Sequence, residues 1–333
     1  MPFYGAEFHK KGYTTPCCLM TTHNIDEVRQ EMLAGIKPKS CNKCWSLEDK
    51  GIKSDRQIKN EAYDLYADVD INQVINNCKS GTFSQQIIKI FTSNLCNSAC
   101  VTCDPKSSTY WQSVLNVPIK FDTIGNLTLD QIDFANIKML QLVGGEPLYD
   151  KNIFNILQRL IDNNNTTCFI SVVTNGSVKL TDKQLDMLSK FKNLNICISI
   201  DGIGPVFEYL RFPLKWANVT ENITQFKKIT NYVGVSYTLS NINILYYDET
   251  IQWFKKNNLS YNHNLVTTPA YFNINALPSG IKNSLSESIK LFRPHTENDD
   301  VLFKLSLEKL KEQDLLKGTN AAVSIPKFIQ LFL

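Results

Sequence analysis

Three cysteines stand close together at Cys96, Cys100 and Cys103, directly after an apolar run at residues 86–92. A structural zinc ion usually takes four protein ligands, so a set of three thiols suits it poorly. Three thiolates can instead hold three irons of a four-iron cluster and leave the fourth iron open to a ligand from outside the protein. The alternative is a buried stripe at helical spacing, because free cysteines are often core residues. The polar residues around these cysteines argue against such a stripe.

A second motif, GGEP at residues 144–147, follows the next apolar run. Glycines let the backbone approach a ligand closely because they carry no side chain. Taken alone, the motif is equally typical of a strand-to-helix turn with a proline at the first helical position. Its place in the chain matters more, since ligands of parallel α/β folds bind at the carboxyl ends of the strands.

The elements that must position these motifs follow from the periodicity of the chain. From about residue 85, short β-branched apolar runs alternate with longer segments of helical period, which predicts βαβ units, a parallel sheet and an α/β fold class. The predicted strands are residues 86–92, 137–143, 168–174, 195–200, 233–239 and 263–268. The charged region from about residue 279 to 333 is predicted to be helical.

The cysteine motif and the GGE motif, in this order and after successive strands, resemble the radical S-adenosylmethionine (SAM) superfamily. The resemblance covers about residues 85–270 and implies a partial (β/α)6 barrel. In that family the three cysteines bind a 4Fe-4S cluster, and the open iron binds the amine and carboxylate of SAM. Reductive cleavage of SAM then gives a 5'-deoxyadenosyl radical that abstracts hydrogen from the substrate. The family commonly has an aromatic residue before the last cysteine, where this chain has Thr102.

The resemblance also implies cofactor contacts for the second and third loops. Gly144 and Gly145 would offer peptide groups to the SAM ammonium, and Glu146 would lie beside it. Asn175, in the TNGS segment after the third strand, is a further candidate at the same edge.

Two residues after the fourth strand, Ser199 and Asp201, resemble those that meet the SAM ribose hydroxyls, a task that suits a short acceptor. Asp201 is equally typical of a helix cap or a turn. Arg211 is a candidate partner for the SAM carboxylate, because a guanidinium pairs well with a carboxylate. The alternative for Arg211 is a solvated surface charge.

Four more cysteines, Cys17, Cys18, Cys41 and Cys44, precede residue 50. Their segment is similar to the cysteine-rich extension of the SPASM and twitch radical SAM groups, although here it precedes the barrel. That resemblance implies an auxiliary iron-sulfur cluster on Cys18, Cys41 and Cys44, with Cys17 as the fourth ligand. Fuller versions of the extension have a further cysteine upstream. A structural zinc site is the alternative, because a Cys-x2-Cys pair is also a zinc signal.

Composition limits the partners and the compartment. The 35 lysines and arginines nearly balance the 32 aspartates and glutamates, so no nucleic acid partner is expected. No stretch approaches the roughly 20 apolar residues that span a bilayer, so no membrane partner is expected. We therefore expect a cytoplasmic protein, in which ten cysteines indicate metal ligands or buried thiols rather than disulfides.

The sequence thus predicts three regions: an auxiliary cluster segment (residues 1–80), a radical SAM core (85–275) and a C-terminal helical extension (276–333). The predicted function is radical modification of a peptide or protein, with an electron from a reductant such as flavodoxin or ferredoxin. The alternatives are modification of a small metabolite or nucleoside, and a non-catalytic iron-sulfur or zinc binding module. The peptide assignment rests on analogy with the auxiliary-cluster groups.

Overall fold

A computed structural model describes most of the chain, and its central feature is one eight-stranded sheet surrounded by helices. The described residues are 3–9, 14–17, 19–20, 24–67, 70–81, 85–286 and 291–333. The strands are β1 (Gly5–Phe8), β2 (Thr14–Thr15), β3 (Ile87–Phe91), β4 (Met139–Val143), β5 (Phe169–Thr174), β6 (Asn193–Ser199), β7 (Tyr232–Leu239) and β8 (Ser260–Leu265).

The α-helices vary from a single turn to 21 residues. They are α1 (Ile25–Leu33), α2 (Asn42–Glu48), α3 (Asp55–Ala67), α4 (Ile71–Lys79), α5 (Thr109–Val114), α6 (Asn126–Leu129), α7 (Asn152–Asp162), α8 (Asp182–Ser189), α9 (Pro205–Leu210), α10 (Trp216–Ile229), α11 (Tyr247–Lys256), α12 (Ser279–Ser286), α13 (Glu297–Lys317), α14 (Ala321–Ser324) and α15 (Pro326–Ile329). Within the described ranges, no helix is long and apolar enough to span a membrane.

The strand order is β2-β1-β3-β4-β5-β6-β7-β8, and every neighbouring pair is parallel except β1 with β2. The predicted α/β class with a largely parallel sheet is confirmed. Five of the six predicted strands agree with β3 to β7 within two residues at each end. The sixth, predicted at 263–268, is observed three residues earlier as β8. Strand β1, which extends the sheet beyond β3, was not predicted.

One face of the sheet is packed against helices. In β3 and β4 the outward residues Ile90 and Leu142 are completely buried, and they belong to one continuous apolar core. Helix α7 covers this face with four fully buried apolar residues at the spacing of one helical stripe. They are Ile153, Ile156, Leu157 and Leu160.

The other face of the sheet carries a polar row. Five residues lie side by side in register across β1 and β3 to β6, namely Glu7, Lys89, Gln141, Ser171 and Asn195. The interior of a closed barrel is normally filled by apolar layers, and strands of parallel sheets are usually apolar on both faces. The polar row therefore distinguishes this face from the packed apolar interior of a closed barrel.

Candidate active site

The three cysteines of the loop after β3 open onto one cavity of about 290 Å³. Cys96 is 9% exposed, and the Ser98 hydroxyl lies 3.3 Å from the Cys96 Sγ and 3.5 Å from the Cys100 Sγ. The cavity is lined by these residues and by loops at the carboxyl ends of the strands: Cys96, Ser98, Cys100, Thr102, Cys103, Ser107, Val143, Gly144, Gly145, Val173, Thr174, Asn175, Ser199, Asp201, Arg211 and Thr238.

The pKa values of Cys96 and Cys103 are raised by their surroundings. Burial and the neighbouring Cys100 raise the pKa of Cys96 to about 11. Cys103 is exposed but lines the cavity, and desolvation of its thiol together with Cys100 raises its pKa to about 12. A metal bound by these thiolates would therefore release protons.

Helix α5 holds the cysteine loop in place. Ser108, the N-cap of α5, donates a hydrogen bond from its hydroxyl to the Ser98 carbonyl at 2.6 Å. The Trp111 indole nitrogen donates to the Cys100 carbonyl at 2.9 Å. These bonds satisfy carbonyls that a loop outside regular structure would otherwise leave unpaired.

The two glycines of the GGEP turn are required by the cysteine loop. A Cβ on Gly145 would lie 2.5 Å from the Leu95 carbonyl oxygen, and one on Gly144 would lie 2.7 Å from the Ser93 carbonyl oxygen. The Gly145 amide donates to the same Ser93 carbonyl at 2.8 Å. The glycines therefore let the turn pack directly on the backbone that leads to the first cysteine, while both also line the cavity.

Glu146 is 1% exposed and is not among the residues that line the cavity. Its carboxylate accepts hydrogen bonds from the Thr174 hydroxyl at 2.6 Å and from the backbone amides of Asn175 at 2.5 Å and Leu148 at 3.0 Å. Burial raises the pKa of Glu146 to about 7, although these three donors oppose the rise. Glu146 thus ties the turn after β4 to the loop after β5.

Asn175 joins that loop to the cysteine loop. Its side-chain nitrogen Nδ2 donates to the side-chain oxygen Oδ1 of Asn97 at 2.8 Å, and its own Oδ1 accepts from the Ser177 hydroxyl at 2.7 Å. Asn97 lies between the first two cysteines in sequence, and it donates back to Ser177 at 3.0 Å. The position of Asn175 in the cavity wall is therefore fixed by the cysteine loop itself.

Arg211 and Asp201 form a buried ion pair in the cavity wall. The distance from Arg211 Nη2 to Asp201 Oδ2 is 2.8 Å, and the two side chains are 11% and 7% exposed. The second Asp201 oxygen accepts from the Thr238 amide at 3.2 Å. Arg211 is therefore not a solvated surface charge, and its Nε is buried without a hydrogen-bond partner in the described structure. Ser199 lines the cavity beside this pair.

The last turn of α13 also reaches the cysteine loop, which the sequence did not predict. Gln313 Nε2 donates to the Val101 carbonyl at 3.1 Å, and Lys317 Nζ donates to Gln313 Oε1 at 2.7 Å. The ammonium lies 4.3 Å from the centre of the Trp111 ring. Burial lowers the pKa of Lys317 to about 8, while Cys100 and other nearby negative charges oppose the decrease.

Three of the N-terminal cysteines meet at a second cavity. Cys17, Cys41 and Cys44 line a space of about 30 Å³ together with Met20 and Met32. Cys44 is 7% exposed, and burial raises the pKa of Cys41. Cys18, one of the three cysteines that the resemblance favours as ligands, lies outside the described residues.

The residues that follow Cys44 are linked by hydrogen bonds and a cation–π contact next to this second cavity. The Glu48 carboxylate accepts from Arg56 at 2.6 Å and 3.1 Å and from the Ser54 hydroxyl. The Arg56 guanidinium lies 4.7 Å from the centre of the Trp45 ring. Hydrogen bonds from Arg56, which outweigh burial, lower the pKa of Glu48.

The side chains around the larger cavity fit an iron-sulfur cluster better than a single metal ion. Among the described residues, no three His, Cys, Asp or Glu side chains are close enough together to hold a single ion. The three thiols around the larger cavity fit a cluster that distributes its ligands over several irons. The unpartnered Nε of Arg211 in the wall fits an additional anionic or polar ligand in the same cavity.

Comparison with known proteins identifies related chains. A family model described as the radical SAM superfamily matches residues 90–256, half of the chain. The uncharacterized protein MJ0907 of Methanocaldococcus jannaschii is 24% identical over 175 residues, which are 50% of this chain and 57% of that protein.

Two solved structures are similar to parts of this chain. Native anSMEcpe with bound AdoMet gives a TM-score of 0.46 at 17% identity, over 70% of this chain and 62% of that one. Streptococcus suis SuiB bound to the precursor peptide SuiA gives a TM-score of 0.46 at 14% identity, over 80% of this chain and 58% of that one. The chain spans less than two thirds of the length of each of these three proteins.

Proposed function

The chain belongs to the radical SAM superfamily of enzymes, and we propose that Cys96, Cys100 and Cys103 hold its 4Fe-4S cluster and that SAM binds in the adjoining cavity. The observation that carries this proposal is the convergence of three thiols and four loops on one cavity at the carboxyl ends of β3 to β7. When bound, the cluster supplies the electron that cleaves SAM to a 5'-deoxyadenosyl radical.

The residues of the cavity wall have separate tasks in this proposal. The Ser98 hydroxyl, within hydrogen-bond distance of two sulfurs, orients and polarises the thiolates. Arg211 offers its unpartnered Nε to the SAM carboxylate, while Asp201 holds the guanidinium in place. Ser199 faces the same space and is assigned to a ribose hydroxyl. Glu146 and Asn175 fix the geometry of the loops.

For the N-terminal segment, we propose a second metal centre of the twitch or SPASM type. Support comes from the meeting of Cys17, Cys41 and Cys44 at one cavity, where three thiols from separate parts of the segment come together. Cys18 is proposed as a further ligand. An iron-sulfur cluster is favoured over zinc because of the resemblance of the whole segment to the auxiliary-cluster extension.

The proposed substrate is a peptide or protein segment lying along the inner face of the sheet, within a partial (β/α)6 barrel. Gln141 and Ser171, of the polar row, lie two residues before Val143 and Val173, which line the cavity. Two residues along a strand correspond to about 7 Å. The amide, hydroxyl and charged groups of this row, about 7 Å along the strands from the cavity, can form hydrogen bonds with the backbone and polar side chains of a peptide.

The experiment that tests both metal centres is anaerobic reconstitution with iron and sulfide. We expect about eight irons in the wild type, from two four-iron clusters, and release of 5'-deoxyadenosine from SAM when dithionite is added. Cys100→Ala should lose about four irons and all SAM cleavage, because one of three cluster ligands is removed.

Cys44→Ala should lose a similar amount of iron but keep SAM cleavage without substrate, since it alters only the second cavity. Cys168→Ala is the matched control, because this buried thiol lies outside both cavities. A Cys100→Ala variant that still cleaves SAM contradicts the proposed active site. A wild type with four irons and one zinc contradicts the auxiliary iron-sulfur cluster alone.

A further inference from the structure

Helix α13 brings a buried ammonium group to the cysteine loop from a distant part of the chain. Lys317 is 9% exposed and lies at the last turn of the helix, which ends at Gly318 in the left-handed conformation. Two contacts hold this turn in place: Gln313 bonds to the Val101 carbonyl, and the ammonium lies over the Trp111 ring. Since Trp111 bonds to the Cys100 carbonyl, both contacts lead to the segment between the second and third cysteines.

The charge of Lys317 is not cancelled by a close carboxylate. No Asp or Glu oxygen of the described residues lies within 4.0 Å of its Nζ, which donates instead to the neutral Gln313. Asp314, one turn away, uses its oxygens for the Thr319 hydroxyl and the Ala321 amide. Arg211, another cation near these cysteines, pairs with Asp201 at 2.8 Å.

From this arrangement we propose that the positive charge of Lys317 raises the reduction potential of the cluster on Cys96, Cys100 and Cys103. The inference rests on the proposed function, which places the cluster there. Reduction adds a negative charge to the cluster, and a nearby buried cation stabilises the reduced form more than the oxidised form. Because the ammonium is buried, salt screens this interaction less than it would at the surface.

The test is a potentiometric titration of the reconstituted protein at pH 7, followed by electron paramagnetic resonance. The signal that changes when SAM is added identifies the active-site cluster. In Lys317→Met, which keeps an unbranched side chain over Trp111, the ratio of reduced to oxidised cluster at the wild-type midpoint should fall about tenfold. For a one-electron couple this corresponds to a midpoint lower by about 59 mV.

Lys311→Gln is the matched control, because it removes the same charge from an exposed position of the same helix and should leave the midpoint unchanged. Lys317→Arg keeps the charge and should keep the midpoint. A Lys317→Met midpoint equal to the wild-type value overturns the inference.

If Lys317→Met cannot hold the cluster, Lys317→Arg and Lys317→Gln decide the question. A loaded Lys317→Arg protein with a clearly lower midpoint overturns the inference, whereas a wild-type value with a lowered midpoint in Lys317→Gln supports it. A wild type that assembles no cluster on Cys96, Cys100 and Cys103 contradicts the proposed function instead.

Discussion

Some residues at this site hold the loops together by hydrogen bonds, and Glu146 is the clearest example. In the family resemblance its carboxylate lies beside the SAM ammonium, whereas in the structure it accepts three hydrogen bonds from neighbouring loops and is not part of the cavity lining. A buried carboxyl with three donors is held in one position. Glu146 therefore fixes the loop that carries Asn175 relative to the turn after β4.

The raised pKa of Glu146 predicts a pH dependence of stability. Its pKa rises from 4.5 to about 7 on folding, so the native state binds more protons than the unfolded state between these values. The stabilisation is complete below about pH 4.5 and is lost as the pH rises through about 7, a total of about 3 kcal/mol. Urea unfolding of the metal-free protein at pH 5, 6 and 7 measures this decrease.

Glu146→Gln should flatten that part of the stability profile, since the amide does not titrate. Glu308→Gln, at an exposed position of α13, is the control and should retain the wild-type slope. Parallel profiles for wild type and Glu146→Gln would show that Glu146 is not the group responsible.

At the scale of elements, the site depends on how closely the turn after β4 approaches the cysteine loop after β3. The Gly145 and Glu146 amides donate to the Ser93 and Leu95 carbonyls, both at 2.8 Å. The loop is thus bonded to the turn immediately before Cys96. In this chain, the GGE turn and the cysteine loop thus each supply the surface on which the other packs.

Gly145→Ala should therefore disrupt the site without changing any candidate ligand. Its Cβ would lie 2.5 Å from the Leu95 carbonyl oxygen, so the two backbones must separate. We expect a loss of about 2 kcal/mol or more in the free energy of unfolding, together with weaker iron binding.

Gly280→Ala is the matched control, because nothing lies within 4 Å of the added Cβ and the residue is in helix α12. It should be neutral or stabilising by about 1 kcal/mol. Chemical denaturation and iron content of both variants provide the measurement. Normal iron content and stability in Gly145→Ala would contradict the packing role of this glycine.

For the molecule as a whole, local patterns predicted the strands and the cysteine and glycine motifs, but contacts between distant segments were not predictable. Alternating apolar residues located β3 to β7. Strand β8 was placed three residues too late because its residues are mostly exposed and polar, so it has no clear alternation. The four-residue β1 is too short for periodicity to detect.

The contributions of the C-terminal region were missed for a related reason. Gln313 bonds to Val101 across 212 residues of sequence, and no local pattern marks such a contact. Lys317 has the same appearance in sequence as the exposed lysines of the same helix. Its importance arises from packing against Trp111, which only the fold supplies.

The start of α13 is anchored by Asp299, and this anchor holds the helix that reaches the active site. The Asp299 side chain is fully buried and pairs with Lys282 Nζ at 2.8 Å and with two Arg293 nitrogens at 2.5 Å and 3.0 Å. It also accepts from the Thr296 amide at 2.9 Å, which completes the N-cap of the helix. Hydrogen bonds from both cations outweigh burial and hold the pKa of Asp299 far below its usual range.

Asp299→Asn should destabilise the protein by about 3 to 5 kcal/mol, because it leaves a buried lysine without its carboxylate. The wild-type contribution is present above the unfolded pKa of 3.8 and is lost only in strong acid, so the difference should be constant from pH 5 to 8. Asp300→Asn is the neighbouring control, since that exposed carboxylate pairs with His295 at the surface and should contribute less than about 1 kcal/mol. Denaturant unfolding with equal losses in the two variants would contradict the anchor. If Asp299 fixes α13, its variant should also weaken iron binding at the cysteine loop, because Gln313 and Lys317 lie on the same helix.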